Sequence, residues 1–348
     1  MSNISDIDKN FQVKTNIKKE NIKFYNIEEA PFKIYGVNLE NGRYRRMPQS
    51  VAQKVSEGVL SLHSNTAGGR VRFITDSAYI AIYVNVDNIG RMPHFALTGS
   101  AGFDLYRGNN FVKTFIPPYD TSNNYESIIE FGTKEQREIT INFPLYSDVL
   151  DMYVGVSGDA FISEPNPYVN NKPIVYYGSS ITQGGCASRP GMSYPSIVSR
   201  KLSCEYINLG FSGNAKAENE IAEYIKNLDM SIFVYDYDYN APSTEHLKDT
   251  HKRMFQTIRK ANPSIPIIIM SRPKYSITIE ETERLNIIKK TYETAISAGD
   301  KNVYLLDGKK LMQLAGDDGT VDGCHPNDYG FVSMANALVD VILENKLI

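Results

Sequence analysis

A chain of 348 residues, 42 % apolar and 22 % charged, has the length for two domains and enough apolar side chains for substantial cores. Its formal net charge of −3 gives no electrostatic ground for a nucleic-acid or anionic-membrane partner. The three cysteines, Cys186, Cys204 and Cys324, neither pair closely nor share zinc-type spacing with histidine, so no disulfide framework, metal or organic cofactor is expected.

No stretch approaches the roughly 18 consecutive apolar residues of a membrane span. Met1 to Asp8 lack a basic segment followed by an apolar run, so no signal peptide is read and a cytoplasmic setting is the expectation.

Residues 1–23 read as a polar arm. From 24 to 165 the pattern is mostly strand-like. Arg70 to Thr75 alternates polar and apolar, and Tyr79 to Val86 is rich in β-formers. Phe111 to Ile116, Glu138 to Phe143 and Asp151 to Val156 continue the series. Gly68-Gly69, Asn88-Ile89-Gly90, Gly108-Asn109-Asn110 and Pro117-Pro118 punctuate it as turns. Many short strands without intervening helices predict a β-sandwich, jelly-roll-like. The basic cluster Arg43, Arg45 and Arg46 reads as a solvated loop.

A proline-containing join, Ser163 to Pro167, leads into a second unit at 172–348 that alternates strand and helix. Strands are predicted at 174–177, 205–208, 231–236, 266–271 and 302–306. Helices are predicted over Thr244 to Lys260, Ile279 to Ala298 and Asn327 to Asn345. The strands lack polar alternation, as expected for a parallel sheet covered on both faces, an α/β three-layer architecture.

In such a sheet ligands bind beyond the carboxyl ends of the strands. Ser180 falls there, after Ile174 to Tyr177 and the tight exit Gly178-Ser179. Its backbone N–H is a candidate oxyanion donor. Asp322 precedes His325 by three residues, a spacing at which the carboxylate can accept from Nδ1 and aim Nε2 at a nucleophile. Asn240 ends the third strand region and offers a carboxamide N–H, and Gly213, after the second strand, allows close backbone approach. Each alone has an ordinary reading: a Ser/Gly turn, an Asp-Gly turn before a helix, a strand-end Asn, a loop glycine. A phosphate loop is disfavoured, since neither Gly-Lys-Ser/Thr nor Gly-x-Gly-x-x-Gly follows the strand.

The order of these residues resembles the SGNH (GDSL-type) hydrolases, whose four blocks carry Ser, Gly, Asn and His. On that resemblance Ser180 in Gly178-Ser179-Ser180-Ile181-Thr182 matches the nucleophile, Gly213 the block-two glycine and Asn240 the block-three asparagine. Asp322 and His325 match the last pair. Gly102-Phe103-Asp104-Leu105-Tyr106 resembles the Gly-x-Asp-Leu-Tyr motif of a β-domain fused before certain members. Two departures stand out: Ser179 replaces the usual Asp and is a rival nucleophile, and Asp238-Tyr239-Asn240-Ala241 keeps only the Asn of its block.

The resemblance implies a flavodoxin-like sheet and a Ser180–His325–Asp322 triad, with Ser180, Gly213 and Asn240 as oxyanion hole. It implies a serine esterase acting on short-chain, above all acetyl, esters, with a small-molecule or saccharide ester as partner. Ser179, Arg189 and Asp238 are the candidate substrate contacts, although Arg189 equally suits a surface ion pair. His94 has two readings, a visitor to the site from the first domain or a satisfied histidine. The alternatives are a catalytically inactive carbohydrate-binding protein of the same fold and a phosphate- or nucleotide-binding α/β protein. The latter lacks its loop lysine.

Overall fold

The computed structural model describes residues 13–348, and the first half of the expected polar arm, 1–12, lies outside them. Thr15 and Asn16 bind the Glu126 carboxylate from along the rim of the first domain.

Two antiparallel sheets build that domain. One runs in the order Ile22–Asn26, Asp148–Ser157, Tyr79–Asp87, Asn124–Glu130. The other runs Ile162–Ser163, Arg70–Thr75, Arg137–Asn142, Phe103–Arg107, Asn110–Phe115, with Lys33–Tyr35 also on Arg70–Thr75. Alternation decides which face is buried. Val71, Phe73, Ile139, Ile141, Ile80, Ile82 and Val84 enter one core between the sheets. Arg70 and Arg72 point the other way, yet both are buried, because Tyr206 and Tyr168 cover their guanidinium faces at 4.3 and 4.1 Å.

The expected absence of helices from this half is corrected. Gln49–Val55 and Glu57–Leu62 are helical, the second capped by Ser56 Oγ, which accepts from Val59 N–H. Each is too short for a 3.6-residue period to show in the sequence. Ala52 and Val59 belong to the core under the second domain, so tertiary burial stabilises these turns.

The basic cluster is also not a solvated loop. Arg46 is 2 % exposed and donates to the Asn208, Gly210 and Leu62 carbonyls, with its guanidinium over the Phe211 ring. Arg43 binds Asp87 and Asp148, and Arg45 meets Glu40 and His63. Apart from Glu40, the targets lie 16 or more residues away in sequence, so local composition could not reveal them.

In the second domain five parallel strands follow the order Cys204–Gly210, Asn170–Gly178, Ile232–Asp236, Ile267–Met270, Val303–Leu306. In chain order this is 2-1-3-4-5, the flavodoxin-like arrangement, which changes direction at the first strand. Alternate residues of each strand feed two cores. Tyr176, Val234 and Ile268 lie on one side, and Val175, Tyr177, Phe233, Tyr235 and Ile269 on the other. That double burial is why no polar alternation appears. Helices Thr244–Ala261, Ile279–Ser297 and Asp328–Glu344 start at Ser243, Thr278 and Asn327, each side chain accepting a first-turn N–H. No helix among the described residues is long and apolar enough to cross a membrane.

Arg46 ties the first domain to the second strand's exit, so Arg46→Ala leaves buried carbonyls unpaired. It should cost on the order of 3 kcal/mol in urea unfolding. Arg46→Lys should not restore this, because an ammonium cannot span the three acceptors as a planar fork does.

Candidate active site

The first strand ends at Gly178, paired on one side with Gly210 and on the other with Asp236, at the point where strand order reverses. A Cβ on Gly178 would lie 2.0 Å from the Asp236 carbonyl oxygen and 2.2 Å from Thr182 Oγ1, so only glycine fits this exit. Ser179 then caps the short helix Ser180–Gln183, accepting from Ile181 N–H, and Gly184 ends it with φ +108°. Ser180 occupies the first helical position, where its N–H has no helical carbonyl to bind.

Ser180 Oγ lies 2.9 Å from His325 Nε2, and His325 Nδ1 lies 2.8 Å from Asp322 Oδ2. The turn Asp322 to His325 is built for this contact. Asp322 Oδ1 accepts from the backbone N–H groups of Cys324 and His325, Gly323 takes φ +84°, and Val321 N–H returns to the His325 carbonyl at 2.8 Å. Partial burial pushes the Asp322 carboxyl up, but the His325 ring and these two N–H groups outweigh it and hold it at about 2. It is therefore a carboxylate at neutral pH, with the imidazole side chain 23 % exposed beside it.

Two further loops reach the same strand ends. Gly213, at φ +69°, sits in a turn closed by its neighbour, Asn214 N–H to Phe211 O at 2.8 Å. Asn240 Oδ1 accepts from Ala215 N–H at 3.2 Å, which leaves its Nδ2 pointing away from that bond. The turn carrying Asn240, Asp238–Asn240, is itself clamped. Arg284 donates to Asp238 Oδ1 and to the Asp238 and Ala241 carbonyls, and Arg272 donates to both Asp238 carboxylate oxygens. Burial disfavours the Asp238 charge, but these two guanidinium groups reverse it and keep the carboxyl below its ordinary value.

The three expected substrate contacts are placed differently. Ser179 is fully buried and spends its hydroxyl on the helix cap. Asp238 is 1 % exposed inside its arginine clamp. Arg189 lies over the Phe111 ring at 3.8 Å and donates to Tyr106 Oη at 2.8 Å, with Asp104 3.5 Å away. Its charge is used to dock the domains against the fully buried Asp104, and not in a surface ion pair. Asp238 and Arg189 meet partners remote in sequence, whereas Ser179 is taken by the N–H of Ile181, two residues on.

The first domain supports this site directly. Asp104 accepts from Gly191 N–H and Asn142 Nδ2, both at 2.8 Å, and so fastens the loop that follows the Ser180 helix. Tyr146 Oη donates to the Ser180 carbonyl at 3.2 Å, and Gln183 Nε2 donates to Asn65 Oδ1 and the Leu145 carbonyl. Neither Tyr146 nor Gln183 carried any sequence signal. His94 does visit the site, its ring centroid 5.5 Å from that of His325.

Cys186 is no rival to Ser180 as a nucleophile, because burial pushes its thiol up to about 12. A cavity of about 640 Å³ lies along the helices Thr244–Ala261 and Ile279–Ser297, lined by residues such as Phe255, Arg259, Thr291 and Asn302. Its one arginine, Arg259, is committed to Asp300 and three carbonyls.

These features define an α/β protein with a Ser–His–Asp hydrogen-bonded chain at its switch point. Residues 171–343 match the GDSL-like lipase/acylhydrolase family, and 22–162 match the GxDLY domain, the N-terminus of SGNH-hydrolase-type esterases. A Bacteroides ovatus protein described as a GDSL-like lipase is 30 % identical. That alignment covers 93 % of this chain and 98 % of the other, with a TM-score of 0.83. The chain belongs to this GDSL-like (SGNH) family, and is an ester hydrolase by class.

Two more distant structures share the fold. A salicylyl-acyltransferase of a tetracycline biosynthetic pathway is 17 % identical, with a TM-score of 0.78, covering 95 % of this chain and 99 % of its own. An acetyl xylan esterase of the rumen bacterium Butyrivibrio proteoclasticus is 12 % identical, with a TM-score of 0.62 and coverage of 94 % and 98 %. No curated protein matches the chain in sequence.

Behind Ser180, Asp236 is fully buried, and burial, with Asp238 nearby, raises its carboxyl to about 7. A folded value above the unfolded one of about 3.9 means that the native state retains a proton the unfolded state has released. Its contribution to stability therefore falls as pH rises from about 4 to 7. Asp236→Asn should raise Tm by several degrees at pH 8 and by little at pH 4.5, read by scanning calorimetry at both values.

Proposed function

We propose that the protein is a serine esterase that hydrolyses short-chain acyl esters, acetyl foremost, carried on saccharides. The single observation behind this reading is the 2.9 Å approach of Ser180 Oγ to His325 Nε2, with Nδ1 held by Asp322 at 2.8 Å. A hydroxyl and an imidazole at this distance are within direct proton-transfer reach.

Ser180 Oγ attacks the acyl carbonyl carbon as its proton passes to His325 Nε2, and the imidazolium formed is stabilised by the Asp322 carboxylate. The tetrahedral oxyanion accepts hydrogen bonds from the Ser180 and Gly213 N–H groups and Asn240 Nδ2. Collapse breaks the ester C–O bond, and the Nε2 proton leaves with the alcohol. Water, deprotonated by the same nitrogen, then attacks the acyl-enzyme, releasing the acid and restoring the serine.

Substrate size follows from the surroundings. Ser180 is only 7 % exposed while the imidazole beside it is 23 % exposed, which suits a small acyl group and a large, polar alcohol outside. The acetyl xylan esterase of the same fold is named for such a substrate. A purely carbohydrate-binding protein would have no use for an Asp-oriented imidazole against a serine hydroxyl.

Ser180→Ala should abolish release of p-nitrophenol from p-nitrophenyl acetate with an unchanged circular dichroism spectrum, and Asn240→Ala should lower kcat about 10²–10³-fold. Acetate release from acetylated xylo-oligosaccharides should exceed release of long-chain acids from matched aryl esters. Unimpaired turnover by Ser180→Ala, or a preference for long chains, would overturn this reading.

A further inference from the structure

Three donors outside the proposed chemistry, or shared with it, converge on one point. His94 sits at the tip of the turn Met92 to Phe95, closed by Phe95 N–H to Met92 O at 3.1 Å, and is exposed. Cys186 lies in the loop after the Ser180 helix, 8 % exposed and at φ +74°. His325 opens the last helix region. One ligand atom from each of the three lies within 4.8 Å of the others. They come from two domains and three separate loops, so no sequence spacing could have announced them.

We propose that His94, Cys186 and His325 bind a thiophilic divalent cation of the zinc class, and that its occupancy switches the esterase off. Binding stands on this geometry alone; the inhibitory consequence rests on the proposed role of His325. Two imidazoles and one sulfur favour zinc or cadmium over magnesium or calcium, which prefer oxygen ligands. With Zn–N of about 2.0 Å and Zn–S of about 2.3 Å, tetrahedral ligand atoms stand ~3.3–3.5 Å apart. From separations of up to 4.8 Å the three donors therefore close by up to about 1.5 Å, which an exposed turn and a rotation of the Cys186 side chain can supply.

The ligand nitrogen of His325 is Nε2, since Nδ1 is held by Asp322 at 2.8 Å. A carboxylate behind a ligating imidazole is the usual outer partner of a metal-bound histidine. On binding, Cys186 ligates as thiolate and its proton passes to solvent, a change a coordinated cation enforces even on a buried thiol. The thiolate and the Asp322 carboxylate then balance the two charges of the cation. The fourth position remains for water. Bound in this way, Nε2 has no lone pair for the Ser180 proton, and hydrolysis stops until the metal is removed.

The test is titration of the full chain with zinc chloride by calorimetry, and with cadmium chloride while following the ultraviolet sulfur-to-cadmium charge-transfer band. The expected result is one ion per chain, with zinc affinity lowered about tenfold or more in both Cys186→Ser and His94→Ala, and no cadmium band in Cys186→Ser. In the ester assay zinc should inhibit, a chelator should restore activity, and magnesium should do nothing. Cys186→Ser should stay active and resist zinc. Unchanged zinc affinity in both variants, absence of the cadmium band in the native chain, or undiminished zinc inhibition of Cys186→Ser would overturn the proposal. Should the chain turn over no ester, the calorimetry and the cadmium band still decide the metal site, so the two readings fail separately.

Discussion

The hydrogen bond between Ser180 Oγ and His325 Nε2 spans 145 residues of sequence and joins the exit of the first parallel strand to the entrance of the last helix. Everything in the second domain has to be in register for it to form. The strand order 2-1-3-4-5 puts the Ser180 exit between those of the second and third strands, so the Gly213 and Asn240 turns face it from either side. The Asp322 to His325 turn then closes the groove from the far end of the chain. A hydroxyl attacks an ester far faster with a base held within reach, and the fold holds an imidazole nitrogen 2.9 Å from this one, as the proposed reaction requires.

The first domain is part of that support and not an appendage. Asp104, the acid of the Gly-Phe-Asp-Leu-Tyr segment, is fully buried and bound to the backbone of the loop that follows the Ser180 helix. Arg189 returns the contact through Tyr106 and Phe111. Tyr146 and Gln183 connect the domains again at the Ser180 helix itself. A motif that resembles a family signature thus has a mechanical meaning: it anchors the loop beside the proposed nucleophile, where a displacement of about 1 Å is enough to cost much of the rate.

Polar residues next to the groove divide into those that face it and those that hold it. Ser180 and His325 meet across it, with Asp322 behind the imidazole. Ser179, Asp238, Arg272 and Arg284 hold it, through a helix cap and a doubly bonded carboxylate. Of the departures from the family blocks, Ser179 and Asp238 fall among the holders, and the Ala241 carbonyl accepts from Arg284 in the same clamp. Their replacement alters how a turn is braced and leaves the facing groups in place.

Periodicity was enough to distinguish a half-alternating sandwich from a sheet buried on both faces, because strand burial is written directly into every second residue. The order of Ser180, Gly213, Asn240 and Asp322–His325 was legible for a similar reason: each follows a recognisable strand or precedes a recognisable helix. The helices at 49–55 and 57–62, the buried role of Arg46 and the arginine clamp on Asp238 were not. Each is decided by a partner far along the chain, and a hydrogen bond or an apolar contact between remote residues leaves no mark on the spacing of either one. The sequence by itself determined the two architectures and the residue types at the strand ends. Only the tertiary structure decided which of those side chains remain free to act, since burial and long-range pairing commit the rest.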